Sequence, residues 1–304
     1  MDFVAERRLG HRLRLYGFSC VHYGDKPGHD APLWHQFLDE IEQTDNALVF
    51  GLGDYLDWTR TTHRLPIKAA FGEDDKAFSQ LDDLVMDGLV YPFVDIVRKH
   101  CPSFAKKCVG LVEGNHHGTM LSSKFRNGRT TTEEICRLLD VRYLGLSAWV
   151  RLTVYRSGGK QKLGTGQNLN VLLNHSVSSS GKLAASLASA QRKIEGWRGV
   201  DVFLSANDHQ LGHVLRQEMG CTSRGSARPV EYQQVIGKVG SFQKAYQVGA
   251  MSDHYVEKKL LSPNQLGWLS FDAWIHHREL SGDEKRAAGV TNSPEVWRFG
   301  SFSV

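Results

Sequence analysis

The segment ALVFGLGDYLD, residues 47–57, carries the clearest structural signal in this 304-residue chain. It begins with a short, almost continuous apolar run, which is typical of a strand buried on both faces of an α/β sheet. The run stops abruptly at Gly53 and Asp54, and a second carboxylate, Asp57, follows. Because open α/β sheets bind ligands at the carboxyl ends of their strands, this segment predicts a site as well as a strand.

Four other apolar runs end in the same way, on residues that can ligate a metal or move a proton. They are RLRLYGFSC (12–20), CVGLVEGN (108–115), LNVLLN (169–174) and VDVFLSA (200–206). The polar residues at or just after these ends are Cys20, His22, Asn115, His116, His117, His175, Asn207 and His209. One polar residue after a strand is weak evidence, because loops are polar. Five consecutive strand ends of this kind indicate a shared site.

The stretches between these runs have helical periodicity. They are 31–43, two around 76–100, 131–139 and the Ala-rich 182–195. From about 230 the sequence is strand-like again (EYQQVIGKVGSF, GWLSFDAWI, VWRFGSFSV), with a loop at 281–294. This alternation predicts an α/β fold, a layered β-sandwich flanked by helices, with a metal site at the strand carboxyl ends. We expect a single domain over residues 1–304, with a helical insertion at about 58–107.

The composition is that of a soluble globular protein, with 41% apolar and 23% charged residues. The sequence contains no run of eighteen apolar residues and no secretory signal at its start, so we expect a cytoplasmic protein without a membrane span. The formal net charge of +4 permits an anionic substrate, but the dense basic run of a nucleic-acid-binding protein is missing. Five scattered cysteines without a CxxC pair argue against a disulfide framework or a zinc ribbon.

Taken in order, the strand-end residues resemble the signature of the calcineurin-like metallophosphoesterase family. That signature runs D-x-H, G-D-x-x-D, G-N-H-D/E, a lone His and G-H-x-H, each at a strand end. The match spans residues 18–209, and GDYLD and EGNHH are its specific parts. The segment 240–268, GSFQKAYQVGAMSDHYVEKKLLSPNQLGW, is also loosely similar to phage or prophage members. The resemblance implies hydrolysis of phosphomono- or phosphodiesters at a dinuclear metal centre, with metal-activated water.

The resemblance also implies a role for each matched position. Asp54 would bridge two metals, and His116 would stand beside the scissile phosphate as proton donor or charge stabiliser. Asp57 and His117 would contact these groups without ligating a metal. The other implied ligands are Cys20, His22 and His209 for the first metal, and Asn115, His175 and Asn207 for the second. The expected cofactors are two divalent transition-metal ions (Zn, Fe or Mn), and the expected partner is a phosphate ester, with nucleotides and nucleic acids among the options.

Four positions depart from the family pattern. Cys20 stands in place of Asp, Asn207 in place of the first His of G-H-x-H, and Ala206 in place of its Gly. His117 replaces the acidic residue after GNH, so the carboxylate that would orient His116 is expected to be missing. A thiolate favours zinc or iron over magnesium. An amide oxygen is a weaker ligand than imidazole, so we expect the second site to be only partly occupied.

The residues by themselves leave alternatives open. Asp54 could cap a helix, Asp57 could be a cap or a hydrogen-bond acceptor, and Asn115 could be a turn residue in the left-handed conformation. His175 taken alone is an ordinary core or surface histidine, and Cys20 could be a buried apolar cysteine. If it is a ligand, an extended backbone would put it on the same side as His22. Two alternative functions are a metal-dependent nuclease and a degenerate member that binds metal or phosphate without turnover.

Overall fold

The structure is a computed structural model, and it describes residues 2–7, 12–25, 28–58, 75–120, 122–125, 128–156, 167–176, 182–221, 229–246, 263–277, 282 and 295–303. The strands in these ranges are β1 (Asp2–Arg7), β2 (Leu13–Phe18), β3 (Ala47–Gly51), β4 (Cys108–Leu111), β5 (Ser147–Arg156), β6 (Gln167–Ser176), β7 (Val202–Ala206), β8 (Leu211–Cys221), β9 (Pro229–Val239), β10 (Leu269–His277) and β11 (Glu295–Ser303). The helices are α1 (Ala31–Gln43), α2 (Asp75–Val85), α3 (Tyr91–His100), α4 (Phe104–Lys107), α5 (Thr131–Leu139) and α6 (Leu183–Ile194). A π-helical turn (Met86–Val90) joins α2 to α3.

The strands form two sheets. One has the order β1-β5-β6-β7-β9-β8, and the other has the order β11-β10-β2-β3-β4. Strands β2, β3 and β4 run parallel, and so do β6, β7 and β9. Strand β10 is antiparallel to both β2 and β11, and the pairs β5–β6 and β8–β9 are also antiparallel. The carboxyl ends of the parallel strands are therefore gathered at one edge of each sheet.

The two sheets pack face to face and helices cover their outer surfaces. Apolar side chains from both sheets fill the space between them, among them Leu15, Phe50, Val171, Leu204 and Phe271. Helices α1, α3 and α5 cover the five-stranded sheet through residues such as Trp34, Phe37, Phe93 and Ile135. Helix α6 packs on the six-stranded sheet through Ala190 and Ile194, against Phe203 and Ile236. The predicted fold class, a layered α/β sandwich flanked by helices, is confirmed.

The five apolar runs correspond to β2, β3, β4, β6 and β7, and the strand-like C-terminal part contains β9, β10 and β11. Strands β1, β5 and β8 were not predicted. The described part of the proposed insertion at about 58–107 contains α2, the π-helical turn, α3 and α4, while 59–74 lies outside the described residues. Of the predicted loop at 281–294, only residue 282 is described. None of the helices in the described ranges is long and apolar enough to cross a membrane.

Helix α5 holds the loop that follows β4. The helix begins with a capping box, in which Thr130 accepts from the Glu133 backbone and the Glu133 carboxylate accepts from the Thr130 backbone. Its first residue, Thr131, donates its backbone N–H to the Gly118 carbonyl (2.8 Å). The Thr131 hydroxyl accepts from the Gly118 N–H (3.1 Å). These paired bonds fix the position of the chain directly after His117.

Candidate metal centre

The polar strand ends meet in one cluster. Three groups of candidate ligand atoms each lie within 4.8 Å of one another: Cys20 with His22 and His209, Cys20 with Asp54 and His175, and His22 with Asp57 and His116. Cys20 and His22 each belong to two groups, so the three groups are continuous. The residues come from the ends of β2, β3, β4, β6 and β7, as the sequence pattern predicts.

The backbone at the cluster has an uncommon conformation. Of the described non-glycine residues, seven have positive φ, and five of these are predicted ligands: Cys20 (52°), His22 (49°), Asp54 (54°), Asn207 (76°) and His209 (54°). Positive φ costs free energy for any residue with a Cβ atom, and such strain concentrates at functional sites. The expectation of an extended backbone from Cys20 to His22 is therefore wrong. The two side chains reach the same cluster because the chain turns through left-handed residues after β2.

Asp54, Asn115 and His175 present three ligand atoms to one another. His175 Nε2 lies 3.0 Å from Asp54 Oδ2 and 2.9 Å from Asn115 Oδ1. The other ring nitrogen, Nδ1, is bonded to the Leu52 carbonyl oxygen, which can only accept. In neutral His175 the proton is therefore on Nδ1, and Nε2 carries its lone pair toward the two oxygens.

Three acceptor atoms that face one another need a cation between them. Burial alone would lower the pKa of His175, but the Asp54 carboxylate raises it, so a proton can fill this place in the metal-free protein. Burial alone would raise the pKa of Asp54, but the neighbouring imidazoles, above all His175, hold it well below its ordinary value. The set therefore fits a divalent metal that takes nitrogen and oxygen ligands.

The second ligand set consists of Cys20, His22 and His209. His22 is buried, and neither of its ring nitrogens has a hydrogen-bond partner within the described part of the chain. An orphaned buried imidazole is costly unless something else binds it. Its Nε2 lies 4.0 Å from Asp54 Oδ2, so the Asp54 carboxylate lies between the two ligand sets, as a bridging group must.

The electrostatics of this second set suit a metal as well. Burial, followed by the charge of Asp54, raises the pKa of the Cys20 thiol, so the thiol of the metal-free protein is protonated and a metal would displace its proton. Loss of solvent, followed by the His22 imidazole, lowers the pKa of His209 to about 3. The His209 ring is therefore neutral and has a lone pair available.

Asn207 reaches the cluster through its backbone. Its backbone lowers the pKa of the Cys20 thiol against the larger effect of burial, so two of the four residues that depart from the family signature interact. The implied role of its side-chain amide as a ligand of the second metal stays a prediction.

His116 is oriented by a carboxylate, contrary to the expectation drawn from the change at position 117. His116 Nδ1 lies 2.7 Å from Asp57 Oδ1, and its backbone N–H donates to Asp54 Oδ1 (2.8 Å). Although burial would raise the pKa of Asp57, its hydrogen bond to His116 and the nearby His22 imidazole, whose Nδ1 lies 3.6 Å from Asp57 Oδ1, lower it. Asp57 therefore takes the place that sequence reasoning left empty, and it acts as a charged hydrogen-bond acceptor.

His117 supports the turn instead of facing His116. Its Nδ1 lies 2.6 Å from the Gly114 carbonyl oxygen, and its Nε2 lies 3.4 Å from a carboxylate oxygen of Glu113. Glu113 is buried and also accepts a hydrogen bond from the Tyr143 hydroxyl. Glu113 and Tyr143 were missed by sequence reasoning, although Glu113 lies inside the EGNHH motif.

Two glycines allow the strand ends to approach each other. A Cβ atom on Gly114 would lie 2.0 Å from Asp54 Oδ1 and 2.2 Å from the Asp54 backbone nitrogen. One on Gly53, where φ is 96°, would lie 2.5 Å from the Gly114 nitrogen and 2.8 Å from His175 Nδ1. There is thus no room for a side chain at Gly53 or Gly114, so GDYLD and EGNHH need glycine at these two positions. Tyr55 of GDYLD connects the same two segments, because its hydroxyl accepts from the Gly53 N–H (3.0 Å) and donates to the Val112 carbonyl (2.8 Å).

A C-terminal segment supports the cluster through its backbone, a role that sequence reasoning did not assign to it. The Cys20 carbonyl accepts from the Phe242 N–H (3.0 Å) and from the Ser241 hydroxyl (3.2 Å). The His209 carbonyl accepts from the Gln265 N–H (2.9 Å), and the neighbouring Asn264 side chain acts to raise the pKa of His209 against the effect of burial. These residues lie beyond the range 18–209 in which the family signature could be recognised.

Comparisons with known proteins add little to this geometry. Neither a protein-family model nor a curated protein matches the chain. Among solved structures, one match is to a single mutant of Vps29 from Entamoeba histolytica. It has 12% sequence identity and a TM-score of 0.27, and the alignment covers 95% of this chain and 100% of that one. A sequence identity and a TM-score this low carry no argument about fold or function.

Proposed function

We propose that the chain is a metal-dependent phosphoesterase, which hydrolyses phosphomono- or phosphodiesters at a dinuclear centre. The observation that carries this proposal is the convergence of acceptor atoms around Asp54. On one side, His175 Nε2 lies 3.0 Å from Asp54 Oδ2 and 2.9 Å from Asn115 Oδ1, which are hydrogen-bond distances. When His175 is neutral, none of these three atoms carries a proton that could form a hydrogen bond. On the other side lies buried His22, and neither of its ring nitrogens is hydrogen-bonded within the described part of the chain. Two cations satisfy both sides at once.

The residues fit two divalent transition metals of the zinc, iron or manganese group. Cys20, His22 and His209 would hold the first, Asn115, His175 and Asn207 the second, and Asp54 both. A thiol among the ligands favours zinc or iron at the first position. When bound, the metals would lower the pKa of water and withdraw charge from the phosphoryl group. The resemblance to calcineurin-like metallophosphoesterases supports this assignment, because it matches in order and spacing over residues 18–209.

His116 supplies the acid–base function in this proposal. Its hydrogen bond to Asp57 through Nδ1 fixes the ring orientation and leaves Nε2 for the substrate. A protonated imidazole beside the ester can donate a proton to the leaving oxygen. Nucleotides belong to the proposed substrate class because nucleoside monophosphates are phosphomonoesters and cyclic nucleotides are phosphodiesters. We propose a cytoplasmic enzyme on the grounds given by the sequence.

The test starts from metal-free protein loaded separately with zinc, iron(II) and manganese. Bound metal is measured by elemental analysis, and hydrolysis is measured on a panel of phosphomonoesters, phosphodiesters, nucleotides and single-stranded DNA. Asp54→Asn should lose bound metal and activity together while keeping its folded far-UV spectrum. Wild-type protein that binds no metal, or an Asp54→Asn variant with unchanged metal content and turnover, contradicts the proposal.

His116→Ala separates chemistry from metal binding. It should lower turnover by roughly 10²- to 10⁴-fold, the usual contribution of a general acid, with bound metal unchanged. His276→Ala is the matched control, since His276 is an exposed histidine on β10 and should leave both quantities at wild-type values. Loss of metal from His116→Ala would show that His116 is a ligand. Metal binding by wild-type protein without hydrolysis of any substrate on the panel would favour the non-catalytic alternative.

A further inference from the structure

A fully buried ion pair lies directly beside the ligand turn after β7. Lys238, on β9, is 0% exposed, and its Nζ lies 2.8 Å from Asp208 Oδ2, which is 1% exposed. Asp208 stands between Asn207 and His209, two of the implied ligands. Removing two charges from water is costly, and a buried pair recovers that cost only with good geometry and further hydrogen bonds.

Those further hydrogen bonds are present. The Ser186 hydroxyl, from α6, donates to Asp208 Oδ2, and the Gln210 N–H donates to Asp208 Oδ1 (3.4 Å). Lys238 Nζ also donates to the Ala206 carbonyl (3.3 Å), at the end of β7. The pair therefore ties β9 and α6 to both sides of the turn that carries Asn207 and His209.

The turn needs such a constraint. Asn207 and His209 have φ values of 76° and 54°, which are held only where the surroundings over-determine the backbone. Asp208 lies between these two strained residues. Any rotation of the turn that relaxes them would also move Asp208 away from Lys238 and leave two unpaired charges in the core.

Stability alone does not account for an ion pair at this place. Apolar side chains of similar volume usually stabilise a core as well as a buried ion pair does. We propose that Lys238 is a positioning residue, which acts through Asp208 to hold the Asn207–His209 turn in the conformation that presents both residues to the metals. This inference rests on the proposed metal centre.

The experiment compares metal binding with folding in the full chain. Zinc and manganese are titrated into metal-free wild-type protein, Lys238→Met, Asp208→Asn and the double variant Lys238→Met/Asp208→Leu, and thermal unfolding of each is recorded without metal. Lys238→Met and Asp208→Asn should bind metal about 10- to 100-fold more weakly, the usual loss when a partner that orients metal ligands is removed. The double variant, with an apolar pair, should regain the thermal stability of wild-type protein but not its metal affinity.

The matched control is Asp82→Asn. Asp82 is a buried carboxylate on α2 that accepts from the Ser122 N–H (2.8 Å) and hydroxyl (2.7 Å), so its change disturbs a buried polar contact away from the ligand turn. It should lower the unfolding temperature without changing metal affinity. Cobalt(II) spectra of the double variant give a second readout, because a displaced turn alters the coordination geometry even where the fold is intact.

The outcomes are distinguishable. If the double variant regains both stability and metal affinity with a wild-type cobalt spectrum, the pair serves packing alone and the inference is wrong. It is also wrong if Lys238→Met binds metal as tightly as wild-type protein, a result that leaves the proposed function intact. If wild-type protein binds no metal, the proposed function and this inference are both overturned.

Discussion

Gly114→Ala is the sharpest single perturbation of the candidate centre, because the structure specifies what one added methyl group must displace. The new Cβ would lie 2.0 Å from Asp54 Oδ1 and 2.2 Å from the Asp54 backbone nitrogen. Comfortable contacts between such atoms begin near 3.5 Å, so the two strand ends must separate by more than about 1 Å. The backbone nitrogen cannot move aside as the tip of a flexible side chain can.

The magnitude follows from the tolerance of metal sites. Metal–ligand distances vary by only about 0.2 Å around their ideal values, so a shift of about 1 Å takes Asp54 out of bonding range of at least one metal. We expect metal affinity to fall by at least about 10- to 100-fold, since loss of a ligand costs no less than loss of its orienting partner. Overpacking should also destabilise the fold by about 1–3 kcal/mol.

Isothermal titration with zinc and manganese, at a temperature below the measured unfolding transition, checks this prediction. Gly88→Ala is the control because it makes the same chemical change in the π-helical turn, where an added Cβ would meet no atom within 4 Å. It should bind metal as wild-type protein does. The reasoning is refuted if Gly114→Ala binds metal as tightly as Gly88→Ala and unfolds at the wild-type temperature.

Four further outcomes are expected. Cys20→Asp should keep metal binding but shift the preference from zinc toward manganese, measured by competition between the two ions. Asn207→His should tighten the weaker of two metal-binding steps; two equally tight steps in wild-type protein would contradict this. Asp57→Asn should lower turnover about 10- to 100-fold at unchanged metal content, since it weakens a charged hydrogen bond to His116. Burial raises the pKa of Asp201 from 3.8 to about 6, so the folded state favours the protonated acid and stability falls as pH rises through that interval. Asp201→Asn should therefore raise the unfolding temperature near pH 7 but not near pH 4.

The strands that carry the candidate site could be predicted because they are buried, and a buried strand appears in the sequence as a short apolar run. Strands β3, β4 and β7 are buried along their whole length, and β2 is buried except at half-buried Arg14, so all four appear in the sequence as mainly apolar runs. Strands β5 and β8 were missed because part of each is exposed, so their apolar residues are interrupted by polar ones. Arg151 on β5 and Met219 on β8, for example, are exposed. Strand β1 is short and charged, and its pairing with β5 joins residues far apart in the sequence.

The residues that support the proposed ligands could not be predicted from the sequence, and the reason is different. The bonds from Ser241 and Phe242 to the Cys20 carbonyl join residues more than 200 positions apart, and one of them involves only backbone atoms. Backbone contacts leave no preference for a residue type. Lys238 could be recognised as unusual only in the fold, since a lysine in a strand is ordinarily an exposed residue.

The proposed ligand residues must satisfy two requirements, ligand chemistry and a tolerance of positive φ. The sequence pattern shows only the first. In the proposed centre, residues 20, 22, 54, 207 and 209 must offer ligand chemistry, and each of them also adopts positive φ. Asn, Asp and His tolerate that conformation better than most side chains with a Cβ atom, so the chemistry and the backbone select the same residue types at four of the five positions. This overlap gives Asn207 a reason to stand where the family signature has His, because asparagine accepts a φ of 76° more readily than most residues. Cys20 is the exception. Cysteine has no such tolerance of positive φ, so backbone preference does not explain its presence. Hydrogen bonds on both sides of the residue constrain it: its N–H donates to the Gly53 carbonyl, and its carbonyl accepts from Ser241 and Phe242.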